Sequence, residues 1–208
     1  MPSDLQGDGV RRDALSRAIR PDAEGLPRVM GILNVTPDSF HADSRVTGQE
    51  AVERGLAMFE DGATWVDVGG ESTRPGADAV SVNEECARVI PVIQALKQAR
   101  PDSLVSIDTR HAPVAQAALE AGADMVNDVS GLRDPAMMDV VLEAGAAVCI
   151  MHMLGTPKTM QHDIQYNDVV NDVHEALFTT ASELVRRGHP AELICLDPGI
   201  GFGKEQQH

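Results

Sequence analysis

The sequence predicts an α/β fold of the TIM (β/α)8 barrel type, with about six βα units present. Six short apolar runs, each consistent with a β-strand, end on a polar residue followed by a loop rich in Gly or Pro. The runs are Val29–Asn34, Trp65–Glu71, Leu104–Asp108, Met125–Asp128, Ala147–His152 and Leu193–Asp197. Segments with helical periodicity separate them, and a parallel barrel gathers the residues at the C-terminal strand ends into an active site.

A repeated junction between helix and strand supports this assignment. A Gly-Ala pair begins at Gly62, Gly122 and Gly145, each time just before a predicted strand. Glycine suits the left-handed cap that ends many helices. The strands are rich in Val and Ile, so we expect both of their faces to be covered, as in a parallel sheet.

The intervening segments carry helix signals. Ser81 and Glu84 form a capping box for a helix in which Pro91 should produce a kink or a break. The other predicted helices are Ala112–Ala121, Pro135–Glu143 and Asn167–Arg187. Residues 1–27 are polar and are expected to form a loose leader, tucked under a barrel domain of residues 28–208.

Composition excludes several classes of function. With 17 Lys and Arg against 32 Asp and Glu, the net charge is −15, which disfavours nucleic-acid binding, and aromatic residues make up 3%. The sequence has no apolar run long enough for a membrane helix and no signal core at its start. Three scattered cysteines are interpreted as small apolar residues in a reducing compartment. We therefore expect a cytoplasmic protein with neither a membrane nor a nucleic-acid partner.

The number of strands is lower than a closed barrel requires. Such a barrel has eight strands, usually in about 250 residues, whereas this chain has six predicted strands in 208 residues. We expect a fragment that lacks strands seven and eight. The alternative is an open six-stranded α/β sheet.

The first strand delivers Asn34 into a long polar loop. A neutral amide oxygen suits a hard cation such as Mg²⁺, which keeps its waters and bridges phosphate oxygens. Phe40, an aromatic residue in that loop, could cover a ring-shaped substrate. Taken alone, the segment fits an Asx turn with a packed Phe at least as well.

The loop after the second strand runs from Gly69 to Ala77. Thr73 offers a hydroxyl, and Arg74 offers a planar fork for phosphate between glycines that let a ligand approach the backbone. An exposed turn has the same composition, so this loop alone does not decide between the two.

Three further strand ends carry Asp108, Asn127 and Asp197. Carboxylates accept from ring N–H groups and an amide serves as both donor and acceptor, so the set suits a planar heterocycle such as a pterin. Each residue alone could be an ordinary helix N-cap. Three of them on neighbouring strand ends favour a shared pocket.

Taken together, the segments resemble the dihydropteroate synthases. The resemblance rests on NVTPDSF, GGESTRPGA, SIDTR, the Asn127-Asp128 pair followed by a Ser-Gly, the stretch around Met151 and DPGIGFGK, in this order. It runs from about Val29 to His208. It implies a (β/α)8 barrel of folate biosynthesis, a target of sulfonamides, which joins 6-hydroxymethyl-7,8-dihydropterin pyrophosphate to p-aminobenzoate and releases pyrophosphate.

The resemblance also implies a role for each matching residue. Asn34 would bind Mg²⁺ and pyrophosphate, Thr73 would line the substrate site and Arg74 would hold the pyrophosphate. The pterin ring would be hydrogen-bonded by Asp108, Asn127 and Asp197 and walled by Met151, Val129, Gly201 and Phe202. The p-aminobenzoate site would be built from Ser39, Phe40 and Pro75.

The expected chemistry needs no covalent protein nucleophile. Mg²⁺ and Arg74 would absorb the charge of the departing pyrophosphate. Asp108 or Asp197 would stabilise positive charge on the pterin before the amine attacks. These two carboxylates and Arg74 are the predicted catalytic residues.

Two departures from the family pattern stand out. After Phe40 the family usually continues Ser-Asp-Gly-Gly, whereas this chain has His41-Ala42-Asp43-Ser44, which should stiffen the loop. After the sixth predicted strand, the sequence up to residue 208 contains neither the Ser-Arg-Lys nor the Arg-x-His segment that the family has on its last two strands. We therefore predict that this stretch alone is unstable or inactive.

Two other functions stay open. One is a pterin-binding methyltransferase domain, which shares the pterin contacts but has no need of the Thr-Arg-Pro-Gly loop. The other is a non-catalytic or degenerate paralogue. The family resemblance also implies a homodimer for a full-length protein.

Overall fold

The computed structural model describes residues 4–36, 44–72, 79–156, 158–161 and 164–205, with the side chains of residues 4–8 and 44–47 excepted. Strands and helices alternate along these residues. In chain order they are α1 (Asp4–Ala18), β1 (Met30–Asn34), α2 (Ser44–Glu60), β2 (Trp65–Gly69), α3 (Val82–Ala99), β3 (Leu104–Asp108), α4 (Ala112–Glu120), β4 (Met125–Asp128), α5 (Pro135–Ala144), β5 (Ala147–Met151), α6 (Val169–Arg186) and β6 (Ile194–Asp197).

The strands form one parallel sheet in the order β1-β2-β3-β4-β5-β6. Strands that follow one another in sequence and in space are the topology of a (β/α) barrel, whereas a doubly wound sheet reverses its strand order. The predicted barrel-type α/β fold is confirmed. Within the described residues the sheet is open, with β1 and β6 at its edges.

One row of register partners crosses the whole sheet near the C-terminal strand ends. Its members, from β1 to β6, are Asn34, Gly69, Asp108, Asn127, Cys149 and Cys195. Successive side chains of a strand point to opposite faces. The side chains of the row therefore point to one face of the sheet, which we call the inner face. Residues two positions earlier or later on each strand point to the same face.

The outer face forms the main core. Val68, Ile107 and Val126 are fully buried there together with Ile93 and Leu96 of α3. Each such side chain contributes roughly 1.5–3 kcal/mol through burial. The helices cover this side, which leaves the inner face for other contacts.

The N-terminal segment is ordered rather than loose. Helix α1 places Leu15 and Ala18 under the sheet, in a small cluster with Trp65 at the start of β2. The indole Nε1 of Trp65 donates to the main-chain oxygen of Ala18 over 3.0 Å. The expectation of a loose leader is wrong, because Asp4–Ala18 form a helix whose Leu15 and Ala18 are buried against the start of β2. The domain boundary at residue 28 stays a prediction.

The predicted elements agree with the structure to within two residues at most ends. Helix α3 begins after Ser81, whose side chain accepts from the Glu84 N–H, and it continues unbroken through Pro91. Pro91 is exposed, as is Ala87 four residues earlier, so water can satisfy the carbonyl that proline leaves free. No helix in the described ranges is long and apolar enough to cross a membrane.

Candidate active site

The row of register partners from Asn34 to Cys195, hereafter the polar row, brings three predicted site residues to one level: Asn34 on β1, Asp108 on β3 and Asn127 on β4. Asn34 and Asp108 lie on either side of Gly69 in the register. A Cβ added at Gly69 would lie 3.3 Å from Asp108 Oδ2 and 3.7 Å from Asn34 Oδ1. Both side-chain oxygens therefore reach the space above Gly69, and the glycine keeps that space open.

Asn127, the next residue of the row, is held by a residue that the sequence analysis did not single out. Its Nδ2 donates to Oδ2 of Asp67 over 2.8 Å, and Asp67 is 2% exposed. This bond fixes the amide so that its carbonyl oxygen is free to accept from a ligand. The sequence signal was available: Asp67 is a carboxylate in the middle of an apolar strand, at the same alternation as Gly69.

Burial and charge crowding dominate the electrostatics of the row. Burial raises the pKa of Asp108 well above its ordinary value, and the carboxylates of Asp67 and Glu85 raise it further. Burial also raises the pKa of Asp67, although Ser106 and Asn127 partly offset this. Ser106 Oγ lies close enough to act on Asp67 but makes no hydrogen bond of regular geometry. A ligand that offers N–H donors or positive charge would relieve this crowding.

Asp197 lies at the end of β6, two residues beyond the row and on the same face, with Met151 as its register partner. Its Oδ1 accepts from the Gly199 N–H over 2.7 Å. Met151 belongs to a buried cluster with Val129, against which Phe202 packs. The structure thus brings the predicted apolar wall residues together beside Asp197. Gly201, the remaining predicted wall residue, is exposed.

Lys204 holds the loop that follows β6 through contacts of its side-chain nitrogen. Its Nζ lies 3.0 Å from His152 Nδ1 and donates to the carbonyl oxygens of Gly199 at 3.0 Å and Phe202 at 3.2 Å. Burial lowers the pKa of Lys204. At Gly199 an added Cβ would lie 2.1 Å from the His152 carbonyl oxygen, and φ is +64°, so the loop requires glycine there. This role of Lys204 was missed because its contacts depend on the folded loop.

The other side of the site carries a paired carboxylate. Arg110 donates to both oxygens of Glu71, over 2.8 and 3.0 Å, and the Val80 N–H donates to Oε1 of Glu71 over 3.1 Å. Burial alone would raise the pKa of Glu71, but the bonds from Arg110 and Val80 outweigh it, so the pKa is lowered. These contacts anchor the chain on both sides of residues 73–78.

Five predicted site residues lie outside the described residues: Ser39, Phe40, Thr73, Arg74 and Pro75. Their roles stay predictions. Within the part of the chain that the structure describes, no group of three or more His, Cys, Asp or Glu side chains could hold a metal ion. Asn34 as a magnesium ligand therefore also stays a prediction.

Comparison with known proteins places this geometry in context. The chain matches the family described as pterin binding enzyme over residues 30–208. It is 44% identical over 183 residues to the dihydropteroate synthase of Escherichia coli, covering 88% of this chain and 64% of that protein. It is 49% identical over 179 residues to a probable bifunctional folylpolyglutamate synthase/dihydropteroate synthase of Haloferax volcanii, covering 86% of this chain and 21% of that protein.

Solved structures show the same likeness. The Yersinia pestis dihydropteroate synthase with a sulfonamide drug is similar with a TM-score of 0.80 and 43% identity, over 88% of this chain and 66% of that one. The Xanthomonas albilineans dihydropteroate synthase with 4-aminobenzoic acid is similar with a TM-score of 0.76 and 45% identity, over 86% of this chain and 63% of that one. The chain thus spans less than two thirds of these relatives. The match over residues 30–208, on a sheet of this topology, shows that the chain belongs to the pterin binding enzyme family.

Proposed function

We propose that the chain is part of a dihydropteroate synthase that works in the cytoplasm. It would join 6-hydroxymethyl-7,8-dihydropterin pyrophosphate to p-aminobenzoate, giving 7,8-dihydropteroate and pyrophosphate. The observation that carries the proposal is the polar row, in which Asn34 of β1, Asp108 of β3 and Asn127 of β4 lie at one level, with Gly69 of β2 between the first two. Relatives of similar sequence carry this name, and one solved relative holds 4-aminobenzoic acid.

The row suits the donor-rich edge of a pterin. Asp108 offers carboxylate oxygens to ring N–H groups, and Asn127, held by Asp67, presents its carbonyl oxygen in a fixed direction. Asp197 adds a second carboxylate from β6, beside the wall formed by Met151, Val129 and Phe202. Binding the ring would replace repulsion between carboxylates with charge-assisted hydrogen bonds.

The reaction breaks the bond between the pterin methylene carbon and the pyrophosphate oxygen. Positive charge on that carbon is stabilised by Asp108 or Asp197, and the p-aminobenzoate nitrogen then forms the new bond and loses a proton. Thr73 and Arg74 would hold the pyrophosphate, while Ser39, Phe40 and Pro75 would contact p-aminobenzoate.

Mg²⁺ would be held at Asn34. Two protein oxygens face the space above Gly69, and Mg²⁺ commonly takes one or two protein oxygens and completes its shell with water and substrate phosphates. When bound, Mg²⁺ offsets the negative charge of the leaving pyrophosphate.

The test is formation of dihydropteroate from the two substrates, with and without Mg²⁺. It compares the 208-residue chain with a chimera in which the segment beyond residue 208 comes from the E. coli relative. We expect Mg²⁺-dependent turnover by the chimera and little or none by the chain alone. A chimera that folds and binds pterin without turnover would favour a degenerate paralogue.

Substitution of Arg74 separates the synthase from a pterin-binding methyltransferase. In the chimera, Arg74→Ala should lower kcat/KM for the pyrophosphate substrate by roughly 100-fold, because it removes a charged hydrogen bond to the leaving group. Arg17→Ala, at an exposed position of α1, is the matched control. An unchanged kcat/KM in Arg74→Ala would contradict the proposed role.

A further inference from the structure

Two of the three cysteines meet in the fold. Cys149 of β5 and Cys195 of β6 are register partners at one end of the polar row. They were interpreted from the sequence as scattered apolar residues, because nothing in the spacing of positions 149 and 195 shows that their strands pair in this register. Cys86 lies apart from them, on α3.

Both paired cysteines belong to the inner face. Their neighbours along the strands, Ile150 and Leu196, pack in or against the outer core. Cys149 and Cys195 therefore face the same interior as Asp108 and Asn127. Both are partly exposed, and neither forms a disulfide. A small oxidant can therefore reach them.

The separation of the paired strands puts the two cysteines within range of a covalent link. Neighbouring strands lie about 4.8 Å apart, and a disulfide accepts Cα separations of about 4.4–6.8 Å. Both side chains leave the sheet on the same face at register-paired positions, so the two thiols lie side by side. Interaction between the two thiols lowers the pKa of Cys195 to about 7 and raises that of Cys149, while burial and the Asp197 carboxylate act in the opposite direction on Cys195.

We propose that Cys149 and Cys195 form an oxidisable dithiol, a modification site in which a peroxide closes the pair into a disulfide at the level of the polar row. The Cys195 thiolate attacks one oxygen of hydrogen peroxide, which gives a sulfenic acid and hydroxide. The Cys149 sulfur then attacks the sulfur of that sulfenic acid, and the oxygen leaves as water. Overall, two thiols and one peroxide give one disulfide and two waters.

The disulfide also has a consequence for ligand binding, and this part rests on the proposed function. A disulfide needs Cβ atoms about 3.8 Å apart, less than the usual spacing of about 4.8 Å between neighbouring strands, so we expect the bond to draw β5 and β6 together at this level. Cys149 is the register partner of Asn127, and Asp197 follows Cys195 by two residues. Because sites of this kind respond to displacements of about 1 Å, oxidation should weaken pterin binding.

The decisive test is peptide mapping of the reduced 208-residue chain before and after hydrogen peroxide. Free thiols are alkylated and the chain is digested with trypsin, which places Cys149 in residues 134–158, Cys195 in 188–204 and Cys86 in 55–88. We expect the first two peptides to become cross-linked, with the loss of two hydrogen atoms, and Cys86 to stay free for alkylation. Dithiothreitol should reverse the link.

Variants make the mapping specific. Cys149→Ser and Cys195→Ser should each abolish the cross-link, and Cys86→Ser should leave it intact. Independent alkylation or over-oxidation of Cys149 and Cys195 in the unmodified chain, with no cross-link, would overturn the proposal. A cross-link through Cys86 or between two chains would do the same.

The consequence is tested by titrating 6-hydroxymethyl-7,8-dihydropterin into the reduced and oxidised chain. We expect affinity to fall roughly tenfold on oxidation, to recover with dithiothreitol and to be insensitive to peroxide in Cys195→Ser. Equal affinity of both forms would refute the effect on binding. If the reduced chain, shown to be folded, binds no pterin, the proposed function fails while the mapping still decides the disulfide.

Discussion

The inner face of the sheet has two levels of opposite character. The lower level, at the strand starts, contains Trp65, Met125 and Ala147, which pack with Leu15 of α1 into a buried apolar cluster. The upper level, two to four residues further along the same strands, is the polar row with Gly69 and Asn127. The two levels share strands, face and alternation.

The difference shows how the molecule separates stability from ligand binding. The lower level buries apolar surface and uses the indole N–H of Trp65 in a regular hydrogen bond. In the upper level, burial and the neighbouring carboxylates together raise the pKa of Asp108. Unfavourable burial and repulsion of charged groups at the C-terminal ends of barrel strands are typical of ligand-binding sites. Three substitutions test this division.

The largest effect is expected in the lower level. Trp65→Ala should lower the free energy of unfolding by about 3–5 kcal/mol, because it leaves a cavity between α1 and the sheet. Urea denaturation followed by circular dichroism measures the loss. Trp65→Phe is the matched control: it keeps an aromatic ring and should lose less, with about 1 kcal/mol of its loss coming from the missing hydrogen bond. Equal losses in the two variants would show that the cavity does not matter.

In the upper level we expect a substitution to raise the free energy of unfolding instead of lowering it. Asp108→Asn should stabilise the fold at pH 7 by about 1 kcal/mol, because it removes a partly buried charge that is crowded by other carboxylates. It should also weaken pterin binding roughly 10–100-fold, since hydrogen bonds to a charged group are lost. Denaturation and calorimetric titration measure the two effects. A destabilised Asp108→Asn would contradict the separation of the two levels.

The stabilisation expected for Asp108→Asn should depend on pH, and the raised pKa of Asp108 gives its direction. The pKa of Asp108 is raised from 3.8 in the folded chain, so above that pH the folded state holds more protons than the unfolded state. Stability from this group therefore falls as pH rises through the folded pKa. The gain in Asp108→Asn should vanish at pH below 3.8 and grow towards neutral pH. Thermal unfolding of both proteins across this range gives the difference.

The smallest effect concerns the residue beneath the row. Asp67→Ala removes the acceptor that holds Asn127 and should weaken pterin binding about fivefold, or about 1 kcal/mol. Asp67→Asn keeps an oxygen at the same place, so its affinity should stay near that of the unsubstituted chain. Both variants lose the buried charge, and their comparison therefore isolates the hydrogen bond. Titration of the pterin is the measurement, and equal affinities would show that Asp67 does not position Asn127.

Much of the fold could be predicted because its signals are local. Apolar runs, Gly-Ala junctions and the Ser81 cap gave strands and helices within a few residues, and the resemblance gave the family. The loose leader was wrong because α1 has two glycines and few apolar residues. Its order depends on burying Leu15 and Ala18 under distant strands.

The sequence by itself determined which strand ends carry Asn34, Asp108, Asn127 and Asp197, because these residues simply follow apolar runs. Tertiary structure alone decided what they meet. Asp67 contacts Asn127 across 60 positions, and Cys149 faces Cys195 across a strand pair. In strands covered on both faces the sequence does not mark which side is inward. Register and packing set these contacts and the raised pKa of Asp108, because burial and neighbouring charge exist only once the sheet has formed.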